Sequence, residues 1–502
     1  MEFWNNIAFG FGVSFQPVNL FICFLGVLIG TLVGVLPGIG PVAAMSLLLP
    51  TTFHISPVSA VIMLAGIYYG AQYGGSTTSI LVNIPGEATS VVTCLDGYQM
   101  ARQGRAGPAL GIAAFGSFIA GTLGAVGVMF FSPPLAKVAL EFGSAEYFAL
   151  MFVGLCLLTY LAMKSMLKAL IMAVLGLFVG TIGIDTVTGL HRFTFGAPTL
   201  MDGVGLVPIV MGLFGITEVL FNIERVIKKA VFETRVKGIL PTLQDWKDAA
   251  GPILRGGFIG FIMGIIPGAG AILATFTSYT VERRVSKHPE KFGTGMIQGV
   301  AGPEAANNAA SSGAFIPLLT LGIPANVVAA MLLGALMIHG VIPGPLLLKD
   351  NPQIFWGVVT SMYTGNAMLL VLNLPLIGLW VRLLKVPYTI LFPLILLFCV
   401  IGVYSINNNI IEVYIMLGFG VIGYVLRKLE YEPAPFVLAL VLGPMIEDNL
   451  RSSLMLSSGR VGVFFTNSPL SCILMILGFL ILASPFIPWF KKERKVIEEI
   501  AP

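Results

Sequence analysis

Residues 68–88 read YYGAQYGGSTTSILVNIPGEA and gather polar side chains at high density. Ser76, Thr77, Thr78 and Ser79 form an unbroken hydroxyl run, with Asn83 and Glu87 just beyond it. A second set, Asn307, Asn308, Ser311 and Ser312, follows Glu304 and precedes Asn326. Hydroxyl and amide groups make directional hydrogen bonds, and their oxygens are hard ligands for small cations. Neither set contains a Lys or Arg. This chemistry suits recognition of a solute or ion, but small polar residues also pack helices together, so both uses stay open. Glu87 and Glu304 border the sets; a carboxylate inside a membrane marks a functional site, whereas one at its surface need not.

Catalytic chemistry is poorly supported. Gly74-Gly75-Ser76 is a weak match to an intramembrane serine nucleophile, and neither His54 nor His339 is an evident partner. His339 lies in an apolar run and reads as structural. Asp96, Arg102 and Arg105 read as ordinary loop residues. There is no GxxxxGK[ST] phosphate loop and no H-E-x-x-H pair. The five cysteines are scattered without metal-ligand spacing and read as apolar filler.

The surrounding elements are those of a membrane. Of 502 residues 56% are hydrophobic and only 10% charged, against about 25% charged in soluble domains. Mean hydropathy is +0.93. At roughly 20 residues per span, the length predicts about 10 to 12 membrane segments and leaves no sizeable soluble domain. The net charge of +4 lies in loops, which bears on orientation and excludes a nucleic-acid partner as its cause. The first Lys or Arg is Arg102, so no basic region of a signal peptide is expected near residue 1.

Two breaks interrupt the apolar runs in the same way. Pro37-Gly38-Ile39-Gly40 matches Pro267-Gly268-Ala269-Gly270 at an offset of 230, and Ile84-Pro85 matches Ile323-Pro324 at an offset of 239. Matching interruptions in two halves are the best sequence pointer to a transporter site. Residues 68–88 are too polar for a lipid-facing helix and read as a re-entrant hairpin, since irregular backbone at membrane depth must be buried or line water. Loop charge suggests that the halves are inserted in opposite senses. Residues 50–57 carry no Lys or Arg, whereas the equivalent 281–291 carry four; Arg102 and Arg105 follow the first hairpin, whereas Lys349 and Asp350 cancel after the second.

The chain therefore divides into a first transmembrane half (1–221), a linker (222–250), a second half (251–490) and a tail (491–502). In the linker, Ile223, Val226, Ile227, Ala230, Val231 and Thr234 share one helical face among Arg225, Lys228, Lys229, Arg235 and Lys237. It reads as a basic amphipathic helix on the cytoplasmic surface, with a plain charged linker as the alternative. Lys491, Lys492, Arg494 and Lys495 place the tail on the same side.

Several long stretches resemble one family. They are YYGAQYGGSTTSILVNIPGEATSVVTCLDGYQMARQGRAGPALGIAAFGS, GIIPGAGA, GPEAANNAASSGAFIPLLTLGIPAN and HGVIPGP. Together they are similar to the large membrane subunit of the tripartite tricarboxylate transporters, over nearly the whole chain. The resemblance implies a multi-pass protein of the bacterial inner membrane with about 12 segments. It also implies a small four-helix membrane subunit and a periplasmic solute-binding protein as partners, and ion-driven import of citrate or another carboxylate. The expected fold is thus an all-α polytopic membrane protein of two inverted-topology repeats with re-entrant hairpins and broken helices.

The expected function is ion-coupled import of a carboxylate, with no catalysis and no cofactor beyond a co-transported Na⁺ or H⁺. A channel for small anions and an intramembrane hydrolase are the rival classes. The substrate is expected between the hairpin tips, on Ser76, Thr77, Thr78, Asn83, Asn307, Asn308, Ser312 and Asn326, with helix N-termini meeting its charge. The ion is expected at Pro37, Gly38, Gly40, Pro267, Gly268 and Gly270, where unwound backbone frees carbonyl oxygens, or at Glu87 if it is a proton.

Overall fold

The computed structural model describes residues 2–36, 40–160, 165–224, 238–268, 270–383 and 388–484. Pro37, Gly38 and Ala269 of the breaks, the linker core 225–237 and the tail 491–502 lie outside the described residues.

The fold is all-α. The first half holds α1 (Glu2–Ser14), α2 (Pro17–Val35), α3 (Gly40–Leu48), α4 (Pro57–Val82), α5 (Val91–Arg102) and α6 (Ala106–Ala139), then α7 (Ser144–Tyr160), α8 (Met166–Gly180) and α9 (Leu206–Glu224). The second half holds α10 (Leu243–Ile265), α11 (Gly270–Val285), α12 (Gln298–Gly313), α13 (Phe315–Leu321), α14 (Val327–Ile338) and α15 (Pro352–Asn373). It continues with α16 (Ile377–Leu383), α17 (Tyr388–Asn407), α18 (Ile410–Lys428), α19 (Ala434–Leu456) and α20 (Pro469–Ala483). Among the described residues one short hairpin pairs β1 (Gly183–Ile184) with β2 (His191–Arg192). Arg451 clasps the hairpin at Asp185 (2.7 Å), and Glu447 accepts from Arg192 (2.6 Å).

Five described helices are long and apolar enough to span a membrane: α2, α6, α9, α15 and α18. α4, of 26 residues, is longer than most of these, and at 1.5 Å per residue it extends about 39 Å. Its polar stretch keeps it out of a hydropathy count. That stretch is tolerated because α4 is buried from Val58 to Leu81 on every face. The expected hairpin is therefore displaced: the hydroxyl run lies on a continuous helix, and the break follows it at Asn83-Ile84-Pro85-Gly86. α9 runs on to Glu224 and α10 begins at Leu243, where Thr242 and Asp245 form a reciprocal N-terminal cap.

Between apolar helices in a membrane no hydrophobic gain remains, so close backbone approach decides the packing. The two most extensive helix pairs are α2 with α4 and α10 with α12. Gly26, Gly30 and Gly34 of α2 lie against the carbonyls of Met63, Ile67 and Ala71; Gly256, Gly260 and Gly264 of α10 lie against those of Gly302, Ala306 and Ala310. A methyl group at any of these six glycines would overlap the facing carbonyl. The glycines are related by 230 residues and the carbonyls by 239, the offsets read from the breaks. Within each pair the helices run parallel, so α3 with the turn after it, or α11, must carry the chain back.

Across the halves the equivalent helices α4 and α12 run antiparallel. Ser76 meets Glu304, Gln72 meets Ser311, and the Tyr68 ring lies 6.4 Å from that of Phe315. The connections exchange partners in the same reciprocal way. Thr52, before α4, meets His339, after α14 (3.2 Å), whereas Thr294, before α12, accepts from Gln103, after α5 (2.6 Å).

Candidate functional site

The crossing of α4 and α12 buries a polar cluster. Glu304, 1% exposed, accepts from Ser76 Oγ (2.5 Å) at one carboxylate oxygen and from Thr93 Oγ1 of α5 at the other. Ser117 of α6 accepts from Asn308 Nδ2 (2.7 Å), closing the cluster on a third side. Ser76 and Glu304 come from opposite halves, 228 residues apart.

A second carboxylate sits one turn away. After Val82 the chain turns at Asn83 and folds back along α4, bringing Gly86 against Gly75 and Gly34, where no side chain fits. Glu87 is thereby set beside Gln72. It accepts from Thr89 Oγ1 and weakly from Asn307 Nδ2 (3.4 Å). With its nitrogen toward Glu87 and its oxygen accepting from Ser311 Oγ (3.3 Å), the Gln72 amide joins the halves. Among the described residues no Lys, Arg or His reaches either carboxylate. Glu304 is buried and Glu87 half-buried; a buried carboxylate without a counter-charge is prohibitively costly, so Glu304 requires a proton or a companion cation.

The expected residues separate into groups. Ser76, Asn307 and Glu87 meet at the crossing, with Thr77 beside them on a small cavity. Thr78 donates to Val35 O (2.7 Å), satisfying a carbonyl where α2 ends. Ser312 turns toward Gly121 O (3.3 Å) on α6. Asn326 caps α14, accepting from Ala329 N (2.9 Å), and donates to Tyr68 OH (3.0 Å). Asn83 is not brought to the cluster. It is exposed at the C-terminus of α4 in left-handed backbone (φ 57°), a conformation that Asn tolerates and that Gly322 adopts at the equivalent end of α13. Of the described break residues, Gly40, Gly268 and Gly270 also have positive φ, and Gly268 N donates to Ala325 O (2.9 Å), tying the Pro267 break to the second hairpin.

Asp96 corrects a reading of the sequence. It lies not in a loop but within α5, fully buried. It accepts from the backbone N–H of Gly293 (2.9 Å), Gly295 (2.8 Å) and Met296 (2.8 Å) and from Tyr279 OH (2.9 Å). Arg105, also expected as a plain loop residue, pairs with Asp245 at the start of α10, whereas Arg102 is exposed. Gln72 and Thr93 were not legible as site residues, although the four-residue spacing of Gln72 and Ser76 puts them on one helical face.

The model of the "Tripartite tricarboxylate transporter TctA family" matches residues 20–438. The chain belongs to that family. It is a component of a tricarboxylate transporter and a multi-pass membrane protein. A similar protein of Agrobacterium vitis, described as an uncharacterized 52.8 kDa protein in the TAR-I ttuC' 3' region, is 50% identical over 494 residues, 98% of each chain. Another from the same organism, described as an uncharacterized protein in the TAR-II ttuC' 3' region, is 49% identical over 235 residues, 47% of this chain and 97% of its own length. No solved structure is significantly similar. Membership of the TctA family points to a transporter component.

Proposed function

We propose that the chain is the permease subunit of a cation-driven importer of a di- or tricarboxylate in a bacterial inner membrane. A periplasmic solute-binding protein delivers the substrate, and a small four-helix membrane subunit completes the assembly. The observation that carries this reading is the crossing of α4 and α12, where each half contributes polar groups to one buried cluster. Two inverted halves account for it: equivalent helices run antiparallel when the relating axis lies in the membrane plane and parallel when it lies along the normal. Arg102, Arg105, Arg283, Arg284, Lys287 and Lys291 then share the cytoplasmic end, which agrees with the contact between Gln103 and Thr294.

The substrate is held between the N-termini of α5 and α14, which both open beside Tyr68 and Gln72 through Glu87 and Asn326. Unpaired N–H groups and about half a positive charge at each helix start offset the anion without a fixed cation. Glu87 and Glu304 serve the coupling cation, Na⁺ or H⁺. The test is uptake of labelled citrate and shorter carboxylates by vesicles containing the full assembly. Uptake that requires the binding protein and collapses with the cation gradient is expected. Uptake that persists without any gradient would instead identify a channel.

A further inference from the structure

A small cavity lies beside the crossing, between α4, α6 and the last turn of α15. Its polar wall is Tyr73, Ser76, Thr77, Ser117 and Asn373, and its apolar wall is Leu110, Ala113 and Ala114. It has room for about one water molecule. Tyr73 and Asn373 are 3% and 5% exposed, yet the Tyr73 hydroxyl and the Asn373 Oδ1 have no hydrogen-bond partner. A buried polar group left without a partner is destabilising. Asn373 commits its nitrogen to Leu369 O (2.9 Å), so its carbonyl oxygen is the free end. Ser76 gives its proton to Glu304 (2.5 Å), which leaves its lone pairs free to accept. Ser117 accepts from Asn308 Nδ2 (2.7 Å) and turns its proton toward Glu304 O (3.5 Å), which leaves one lone pair to accept.

We propose that this cavity binds one monovalent alkali cation of about the size of Na⁺, through the oxygens of Tyr73, Ser76, Thr77, Ser117 and Asn373, with Glu304 balancing its charge through Ser76. The inference rests on the reading of the chain as a cation-driven carrier and moves the cation from the glycine breaks to the interface of the halves. A set of neutral hard oxygens beside one carboxylate suits an alkali ion and is a poor site for a transition metal. No cluster of three His, Cys, Asp or Glu exists among the described residues. A water molecule would also satisfy the free oxygens, but Glu304 would then have to be neutralised by a proton, the outcome in which stabilisation follows pH and ignores Na⁺.

Thermal unfolding of the purified full-length chain, titrated with NaCl at constant ionic strength in choline chloride, tests the proposal without substrate. A saturable rise in Tm with Na⁺ is expected. Tyr73→Phe and Asn373→Leu should each raise the half-saturating Na⁺ concentration at least tenfold, and Glu304→Gln should abolish the response. Ser132→Ala, which removes another unpartnered buried hydroxyl, should leave it unchanged. If Asn373→Leu does not fold, Tyr73→Phe decides, since it removes a single oxygen. A Na⁺ response that survives Tyr73→Phe, or stabilisation that follows pH and ignores Na⁺, overturns the site. Gradient-driven carboxylate uptake by a chain that binds no Na⁺ would sink the cavity and leave the carrier reading standing. Na⁺ binding without uptake of any carboxylate would do the reverse.

Discussion

Gly30 on α2 and Gly260 on α10 do the same work, each letting its helix touch the backbone of a parallel partner, yet the partners carry unlike chemistry. At the offset of 239 residues, Ala65 stands where Glu304 does, Gln72 where Ser311 does, and Glu87 where Asn326 does. The frame is duplicated; the site is not. Backbone packing depends only on small residues at four-residue spacing, so it survives in both copies. A buried carboxylate is costly wherever it stands without a proton or cation, and the equivalent of Glu304 is alanine. Each half thus holds half a site, complete only where α4 and α12 cross.

Breaking the shared frame should have the largest effect. Gly30→Leu and Gly260→Leu should both abolish a monodisperse folded peak in size-exclusion chromatography of fluorescently tagged protein; tolerance in one half alone would end the equivalence. Breaking the asymmetry comes next. Glu304→Gln should lower carboxylate uptake more than a hundredfold at unchanged expression, whereas Asn326→Ala should raise half-saturation by about tenfold, the loss of about 1.4 kcal/mol. Equal effects would mean that the carboxylate has no special part.

Asp96→Ala strands four donors and should cost about 1–3 kcal/mol for each that water cannot reach, read as faster tryptic cleavage at Lys291. The acidic clasp at the hairpin behaves differently. A hydrogen bond from Arg451 and the N–H groups of Val187 and Thr188 hold Asp185 well below the usual carboxylate range. Its contribution is therefore fully present above the unfolded value of about 4 and fades only as pH falls through the lowered one. Proteolysis within residues 185–191 should stay flat from pH 8 to 5 and rise in Asp185→Asn throughout. The smallest effect belongs to the C-terminal turns. Asn83→Gly should change stability by less than about 0.5 kcal/mol, since Gly322 fills the equivalent place, while Asn83→Ala should cost about 1 kcal/mol without moving half-saturation for substrate.

The frame was legible because it is made of Gly and Pro, whose backbone effects are local and repeat visibly: both offsets appear in the packing. The polar stretch was legible as buried, because nothing else accommodates four hydroxyls in a row among apolar runs. The pairings were not. Glu304 looked like a border residue because its partners, Ser76 and Thr93, lie more than two hundred positions away. Asp96 stands at an apolar-to-polar transition and precedes Gly97, which imitates a loop; its burial depends on backbone N–H groups that no side-chain pattern reveals. Asn83 misled in the opposite direction, since a residue suited to hydrogen bonding is equally suited to a left-handed turn.

The clasp of Asp96 on residues 293–296 also sets an order on biosynthesis. At roughly 5–20 residues per second, its donors leave the ribosome on the order of 10–40 s after Asp96 itself. During that interval the Asp96 carboxylate lacks its backbone donors and cannot take up its buried place. Residues 1–221 expressed alone are therefore expected to insert without seating α5. Supplying 243–484 as a separate polypeptide should rescue it, which makes the two halves a split pair whose reassembly can be followed in a living membrane.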